Sequence, residues 1–262
     1  STTDHLVRLE NSIREAFILK QRCIVVFFDL GKAYDNVWKF GILCDLAELA
    51  IQGRMLNCLN DFLANRTFLV RLGASLSMAF TQENGVPQVC IPSTALFRVK
   101  INFLAKVIPK STMYSVYVDD LQISFTSCSI STCKRQIEVT LNKLAAWAEG
   151  NAFKFYPQKT VAVLFSLRRG IWVDPNLYLN QGALRIKREH KSLGVTFEKK
   201  LVFLPHINNT KKKASQALNV LKVLLRKWWG SDRARFLQIY RSLVRSKLYH
   251  GSVVWVREEH PT

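Results

Sequence analysis

The stretch 115–125, with the sequence SVYVDDLQISF, is the most informative in the chain. Apolar and polar residues alternate on either side of Asp119 and Asp120, which predicts the two arms of a β-hairpin with the aspartates at its turn. Two adjacent carboxylates at the tip of a buried hairpin repel each other and are costly unless a cation lies beside them. The stretch therefore predicts a cation site, although Asp is also common in plain polar turns.

A second apolar run ends in an acid far upstream of this hairpin. Cys23–Phe28 has the composition of a buried strand and is followed directly by Asp29. If the two strand ends converge, three carboxylates meet at one point. Two divalent ions about 3.5–4 Å apart, held by such acids, activate an attacking oxygen and stabilise a leaving one. The pattern thus indicates a two-metal phosphoryl-transfer site.

Length and composition are those of a globular protein. The chain has 262 residues, 48% of them hydrophobic, enough for one large or two modest domains with a real core. No apolar run reaches the roughly 18–20 residues of a membrane span, and no N-terminal signal pattern is present. The six cysteines show no metal-ligand spacing, and Cys23, Cys44 and Cys58 lie in apolar segments as core residues do. We expect a reduced, intracellular protein of the nucleus or cytoplasm with no membrane partner.

The charge of the chain predicts a polyanionic partner. Lys and Arg number 38 against 19 Asp and Glu, which gives a formal net charge of +19. The excess is concentrated near the C-terminus, since residues 199–262 hold 14 basic and 3 acidic side chains. A solvated basic surface would explain any single lysine there, but it explains this asymmetry poorly.

Periodicity divides the chain into a mixed body and a helical end at about residue 199. Apolar residues at helical spacing predict helices over residues 5–20, 38–50, 54–63, 93–106, 132–149, 207–229 and 233–249. Strands are predicted over residues 23–28, 68–72, 78–81, 115–118, 121–125, 153–155, 160–167, 177–179 and 193–197. The predicted fold class is α+β.

Five motifs follow one another along the chain. They are Val26–Trp38 (VFFDLGKAYDNVW), Asn84–Gln88 (NGVPQ), Tyr117–Asp120 (YVDD), Trp147–Thr160 and His190–Val195 (HKSLGV). Together they resemble motifs A to E of reverse transcriptases from non-LTR retrotransposons, which are LINE-type elements such as jockey and the X-element. The likeness extends over effectively the whole chain. An isolated YVDD would be a weak sign, whereas the ordered set is specific.

This resemblance implies a right-hand polymerase palm, an antiparallel sheet backed by helices, followed by an all-helical thumb. Residues 1–22 would be a residual fingers or connecting helix, residues 23–198 the palm, and residues 199–262 the basic thumb. The fingers would be largely absent, because the family places them upstream of motif A, where this chain has few residues. The chain would then be a piece of a larger protein or a truncated copy.

The resemblance also implies nucleotidyl transfer to a primer 3′-hydroxyl. Asp29 and Asp119 would hold two Mg²⁺ ions, for which Mn²⁺ can substitute, and Asp120 would be a weaker or outer ligand. Lys159 matches the motif D lysine that protonates the leaving pyrophosphate, although a generic surface lysine explains it almost as well. The partners would be an RNA template, a DNA primer and deoxynucleoside triphosphates (dNTPs).

Nucleotide binding is assigned by the same resemblance to Leu30, Tyr34 and Gln88. Tyr34 matches a steric gate whose ring crowds a ribose 2′-hydroxyl, which disfavours a viral RNA polymerase; the alternative is a core aromatic residue. Gln88 matches the residue near the incoming base and the template strand. For Asp35 we expect a structural role, capping the helix that begins near Trp38.

The basic C-terminal helices would follow the phosphate backbone of a template–primer duplex. Neutralising several phosphates releases counterions, so binding should fall steeply with salt. Nothing there indicates base readout, which suits a polymerase that must accept any sequence. The residues assigned to this role are Lys211, Lys212, Lys213, Arg226, Lys227, Arg233, Arg235, Arg241 and Arg245.

Motif B departs from the family pattern directly after Gln88. Members have GVPQGSVLSP or a close variant, whereas this chain has Val89, Cys90, Ile91 and Pro92 in place of Gly-Ser-Val-Leu. Glycine permits φ > 0 and a close approach of the backbone to a ligand, which a β-branched valine does not. We interpret the change as damage that impairs activity. The alternative function is a catalytically dead, nucleic-acid-binding remnant of a transposable element.

Overall fold

A computed structural model describes residues 1–30, 33–88, 90–168, 175–225 and 232–256 of the protein. The helices are α1 (Thr2–Ile18), α2 (Ala33–Asn36), α3 (Lys39–Glu48), α4 (Arg54–Leu63), α5 (Ile91–Ala105), α6 (Ile130–Gly150), α7 (Leu204–Leu225), α8 (Arg233–Tyr240), α9 (Ser246–Tyr249) and α10 (Ser252–Trp255). A π-helical turn, Arg241–Arg245, joins α8 to α9. The strands are β1 (Arg22–Asp29), β2 (Thr67–Phe68), β3 (Arg71–Leu72), β4 (Ser75–Leu76), β5 (Phe80–Thr81), β6 (Met113–Tyr117), β7 (Asp120–Ser127), β8 (Val161–Phe165), β9 (Tyr178–Leu179), β10 (Gly182–Ala183), β11 (Arg185–Lys187), β12 (Glu189–Ser192) and β13 (Val195–Glu198).

A five-stranded sheet in the order β11-β8-β1-β7-β6 forms the centre of the molecule. The central strand β1 pairs antiparallel with both β7 and β8, while β11 joins β8 in parallel. The strands β12 and β13 form a separate antiparallel hairpin, which we call the 189–198 hairpin. Helices and sheet are thus mixed along the chain, and the α+β class is confirmed.

The side chains of β1 alternate between two hydrophobic cores, one on each face of the sheet. Ile24, Val26 and Phe28 belong to the core that α3, α5 and α6 cover. Cys23, Val25 and Phe27 belong to the core formed with α1, β13 and α10. Because both faces are covered, this strand is apolar at every position from 23 to 28 and shows no polar alternation.

Several predicted elements differ from those observed. Residues 153–155 make only an isolated bridge, Leu30 to Phe155, and are not a strand. The helix predicted to begin at residue 93 begins at Ile91, because Pro92 in the first turn removes an N–H that has no helical partner anyway. Cys44 and Cys58 are exposed, so only Cys23 of the three predicted core cysteines is buried; all six cysteines are free.

The described residues beyond Phe203 that adopt regular structure are all helical, as predicted. Ala214, Ala217 and Leu221 of α7 pack with Val244 of the π-helical turn in a small third core. The predicted helix 207–229 can be compared only as far as Leu225, since residues 226–231 lie outside the described ranges. Among the residues described, no helix combines the length and apolar character that crossing a membrane requires.

Candidate active site

The three acids of motifs A and C lie together at one end of the central sheet. Asp29 ends β1 and stands directly opposite Asp120, the first residue of β7, in the antiparallel register. Residues paired in this way have Cα atoms about 4.5–5.5 Å apart. Asp119 is next to Asp120 in the preceding turn. All three are exposed, so the prediction of a buried hairpin tip was wrong, and a ligand can reach the carboxylates directly.

The turn that carries Asp119 is strained. Tyr117 pairs with Asp120, so the β6–β7 hairpin reverses direction over only Val118 and Asp119. Val118 has a φ of 56°, in the left-handed region that β-branched residues rarely adopt and where tight hairpins usually have glycine. Such a conformation costs about 1–3 kcal/mol and is typically retained at functional sites. The tight turn holds Asp119 beside Asp120 at the expense of stability.

A cavity of about 240 Å³ opens beside these acids. Five of the residues predicted for the site line it: Asp29, Leu30, Asp119, Asp120 and Lys159. Tyr34 and Gln88 do not line it, within the part of the chain that the structure describes. The other lining residues are His5, Phe27, Phe28, Leu121, Gln122, His190, Lys191 and Ser192.

Negative charge accumulates at the cavity mouth. Although Asp120 has an exposed surface, neighbouring atoms partly desolvate its carboxyl group and raise its pKa, and the negative charges of Asp119 and Asp29 raise it further. The Nζ of Lys159 lies 3.7 Å from Oδ2 of Asp29 and offsets part of this charge. Because the two side chains are 61% and 46% exposed, that ion pair contributes less than about 1 kcal/mol. A divalent cation would relieve the remaining repulsion.

The acids fit a metal ion that is shared with a substrate. As the side chains stand, no three His, Cys, Asp or Glu residues in the described ranges are gathered closely enough to hold a metal by themselves. Mg²⁺, however, usually takes only one or two carboxylates and completes its octahedral shell with water and substrate phosphates. The carboxylate oxygens of Asp29, Asp119 and Asp120 are the hard ligands that this ion prefers.

Tyr34 packs against the core on the α5 side of the sheet. Its ring stacks on that of Phe97, with the centroids 4.5 Å apart and an interplanar angle of 20°. Phe97 is fully buried, whereas Tyr34 is only partly buried. The stacking agrees with the core-aromatic alternative, although the tyrosine is not fully buried. The steric-gate role stays a prediction.

Gln88 is held by Asp35, which overturns the capping role predicted for Asp35. The Gln88 Nε2 donates a hydrogen bond of 2.9 Å to Asp35 Oδ1. The N-cap of α3 is Trp38, with no side-chain cap, because Asp35 lies within the preceding helix α2. Gly85 of the same loop has a φ of +88°, and a Cβ there would lie 2.5 Å from the Asp35 carbonyl oxygen. Val89 lies outside the described residues.

The basic residues predicted to bind nucleic acid are exposed wherever they are described. Lys211, Lys212 and Lys213 lie together on α7. Four arginines, Arg233, Arg235, Arg241 and Arg245, lie on α8 and the π-helical turn. Within the described ranges none of these seven side chains is paired with a carboxylate. Arg226 and Lys227 lie outside those ranges.

Comparison with known families identifies the chain. Residues 1–197 match the sequence profile of the family described as "Reverse transcriptase (RNA-dependent DNA polymerase)". The chain belongs to the reverse transcriptase family. That match covers the cavity, its three acids and all five motifs, so the resemblance inferred from the motifs is confirmed.

Relatives of this chain include several proteins of Drosophila melanogaster mobile elements. A probable RNA-directed DNA polymerase from transposon BS is 29% identical over 97% of this chain. The RNA-directed DNA polymerase from mobile element jockey is 27% identical, and that from transposon X-element, described as probable, is 22% identical, each over 97%. The chain spans under a third of the length of these relatives, with shares of 29%, 28% and 28%.

Solved telomerase structures are also similar to this reverse transcriptase chain. Telomerase from Candida albicans matches 97% of it, and 47% of the telomerase chain, with a TM-score of 0.49 and 14% identity. Telomerase from Candida tropicalis gives a TM-score of 0.48 at the same identity, over 97% of this chain and 43% of the telomerase. Likeness at this level has no bearing on function.

Several lining residues of the cavity were not predicted from sequence. His190 stacks on Phe27, with ring centroids 4.3 Å apart, and burial lowers its pKa to about 4. His5 of α1 also lines the cavity, and burial lowers its pKa to about 4 as well. The HKSLGV motif could have indicated His190, Lys191 and Ser192, but nothing in the sequence around His5 does so.

Proposed function

We propose that this chain is the catalytic portion of an RNA-directed DNA polymerase that extends a DNA primer on an RNA template with dNTPs. The proposal rests mainly on the register that sets Asp29 opposite Asp120, with Asp119 in the adjoining turn, at the mouth of a cavity. Such paired strand ends are suited to two divalent ions. The reverse transcriptase family profile, which covers the same residues, supports it independently.

The acids have different tasks in the proposed mechanism. Asp29 and Asp119 would hold two Mg²⁺ ions, for which Mn²⁺ can substitute; Asp120 would be the weaker ligand, because its raised pKa means that it gives up its proton less readily. When bound, the ions lower the pKa of the primer 3′-hydroxyl and neutralise charge on the triphosphate. The remaining task of the protein is to hold the 3′-hydroxyl and the triphosphate in line for attack.

Lys159 would be the proton donor for the leaving pyrophosphate. Its Nζ already lies 3.7 Å from Asp29 Oδ2, so a triphosphate held near that carboxylate by divalent ions would be within reach of the ammonium group. The flexible four-carbon side chain can move from the carboxylate to a phosphate oxygen when the acids bind metal. Proton transfer to the leaving oxygen would then be general acid catalysis.

The nucleotide itself would lie between Leu30 and the motif B loop. Leu30 lines the cavity directly beside Asp29. The ring of Tyr34 stacks on that of Phe97, and this packing would make it a firm wall against a ribose 2′-hydroxyl. Gln88 would need to leave Asp35 to reach a base, so its hydrogen bond to Asp35 represents a resting arrangement.

The proposed function divides the chain into a palm, which would carry the catalytic site, and a thumb, which would bind the duplex. Residues 23–198 would be the palm, residues 199–262 the thumb, and residues 1–22 a helix connecting to the fingers. The contacts of α1 with β1 and β6 support such a connecting role, because they fix the helix to the palm sheet. The exposed cations of α7, α8 and the π-helical turn would bind the phosphates of the template–primer duplex.

Charge reversal on the helical end tests its role in duplex binding. Two charge-reversal variants should each weaken duplex binding by at least about tenfold. They are the double variant Arg241→Glu/Arg245→Glu and the triple variant Lys211→Glu/Lys212→Glu/Lys213→Glu. The slope of log K against log salt should become shallower by about one for every phosphate that the variant no longer neutralises. The matched control is Lys134→Glu/Lys143→Glu on α6, which should change affinity little. Unchanged affinity in both thumb variants would refute the thumb assignment.

A catalytically impaired remnant is the second candidate, and the motif B loop favours it. Pro92 fits the first turn of α5 without disturbing the helix, so it does not itself indicate damage. Val89 in place of glycine remains as the change most harmful to nucleotide binding. In this form the basic helices would still bind nucleic acid, but the chemistry would be lost or slow.

Primer extension separates the two candidates. The substrate is poly(A)–oligo(dT), with Mg²⁺ or Mn²⁺, for the chain and its Val89→Gly variant, each also fused to the upstream segment of a jockey-type relative. We expect extension that a chelator abolishes and that added Mg²⁺ restores, with a faster rate for Val89→Gly. Salt-sensitive duplex binding without extension in every form would favour the remnant instead.

A further inference from the structure

The turn at His250 and Gly251 packs against the turn of the 189–198 hairpin. His250 Nε2 lies 2.8 Å from the carbonyl oxygen of Leu193, the first residue of that turn, and donates a hydrogen bond to it. The indole Nε1 of Trp255 donates to the carbonyl oxygen of His250 at 3.1 Å. The turn and α10 are therefore linked to the hairpin through one histidine.

Two glycines allow this close approach. Gly194 has a φ of +90°, and a Cβ at that position would lie 2.5 Å from His250 Nε2. Gly251 has a φ of +64°, and its Cβ would lie 2.5 Å from Cγ2 of Val195. A side chain at either position would be strained and would push the two turns apart. The fit between the turns is thus specific on both sides.

A second set of contacts joins α7 to the same hairpin. His206, at the start of α7, accepts a hydrogen bond from the Thr196 N–H at its Nδ1, at 3.3 Å. Its ring meets that of Trp255 edge-on, with centroids 5.5 Å apart. His206 and Trp255 therefore hold α7, α10 and the hairpin as one unit.

This unit connects the basic helices to the catalytic cavity. Lys191 and Ser192 of the hairpin line the cavity together with the three acids. Ser192 is directly followed by Leu193, whose carbonyl oxygen binds His250. At the other end, His250 follows α9, which continues the helix that carries Arg241 and Arg245. The hydrogen bond from His250 thus joins the end of the helix that carries Arg241 and Arg245 to the residue next to the cavity wall.

We propose that His250 is a positioning residue that couples duplex binding on the C-terminal helices to the placement of the primer end beside Asp29 and Asp119. This inference rests on the proposed function. A duplex held by the exposed cations would fix the position of α8, the π-helical turn and α9. Through its hydrogen bond to Leu193, His250 would then fix the positions of Lys191 and Ser192. Catalysis then depends on His250, although its ring does not line the cavity, within the described residues.

Matched substitutions test the coupling. His250→Phe keeps an aromatic ring and loses the donor, whereas His250→Gln offers an amide N–H in place of Nε2–H. We expect His250→Phe to lower the rate constant of single-nucleotide incorporation about tenfold, the equivalent of one hydrogen bond, with duplex Kd changed less than twofold. His250→Gln should recover most of the rate. Tyr249→Phe, one residue earlier and exposed, is the control and should behave as the parent protein.

A readout that does not need activity keeps this inference separate from the proposed function. In the parent protein, adding duplex should slow hydrogen exchange of the amides of residues 189–198. In His250→Phe this protection should disappear, while protection of α7 by duplex persists and the melting temperature stays within a few degrees. The proposal is overturned if the hairpin is protected equally in parent and variant, or if the rate falls and Kd rises by the same factor. A parent protein with the protection and no extension would contradict only the proposed function.

Discussion

Replacing Asp119 by asparagine should reduce nucleotide incorporation by about 10³-fold or more. The substitution preserves the shape of the side chain and removes the charge that would hold a divalent ion. A metal contributes several kcal/mol of charge stabilisation in such reactions, and each factor of ten in rate corresponds to about 1.4 kcal/mol. Duplex affinity should change little, because the basic helices would supply it. The measurement is single-turnover extension of a labelled primer at saturating dNTP.

The neighbouring acids give this experiment its internal controls. Asp29→Asn should lower the rate of incorporation as much as Asp119→Asn does, because each substitution removes one proposed ligand of the two metal ions. Asp120→Asn should cost less activity and raise the melting temperature slightly, since Asp120 has a raised pKa from burial and from the two neighbouring charges. Asp61→Asn, on the exposed side of α4, should have no effect. A loss at Asp120 that exceeded those at Asp29 and Asp119 would reverse the assignment of metal ligands.

The local part of the site was predictable from sequence, and the reason is visible at the β6–β7 hairpin. Alternating residues on both sides of Tyr117–Asp120 specify two strands, and the short spacing between them specifies a tight turn. Asp29 could be joined to this turn only through the family motifs. The register that pairs Asp29 with Asp120 depends on strands far apart in the chain, which periodicity cannot align.

Burial and partner choice were predicted less well, because they depend on tertiary packing. The apolar surroundings of Cys44 and Cys58 in sequence suggested core positions, yet each lies on the solvent side of its helix. Asp35 has the residue type and spacing of a helix cap, but it lies within α2, and its side chain accepts a hydrogen bond from Gln88. The hydrogen bond between His250 and Leu193 joins residues more than fifty positions apart and has no local signal at all.

An ion pair inside the α3–α5 interface was likewise invisible in the sequence. Lys100 is 2% exposed and Asp45 is 7% exposed, and Lys100 Nζ lies 2.9 Å from Asp45 Oδ2. Burial raises the pKa of Asp45, although the ammonium group of Lys100 opposes that shift. Asp45→Ala should therefore lower the free energy of unfolding by about 3–5 kcal/mol, because it leaves a lysine in the core without its counter-charge.

The double variant Asp45→Leu/Lys100→Met separates the cost of an unpaired charge from the value of the pair. An apolar pair avoids the desolvation of both ions. The free energy of unfolding of the double variant, measured in urea, should therefore equal or exceed that of the parent protein. The exposed pair Glu48–Lys106 joins the last residue of α3 to the residue that follows α5, at 3.4 Å, and is the matched control. Glu48→Ala should cost less than about 1 kcal/mol, because solvent screens that pair. Equal losses for Asp45→Ala and Glu48→Ala would mean that burial does not govern the strength of this interface.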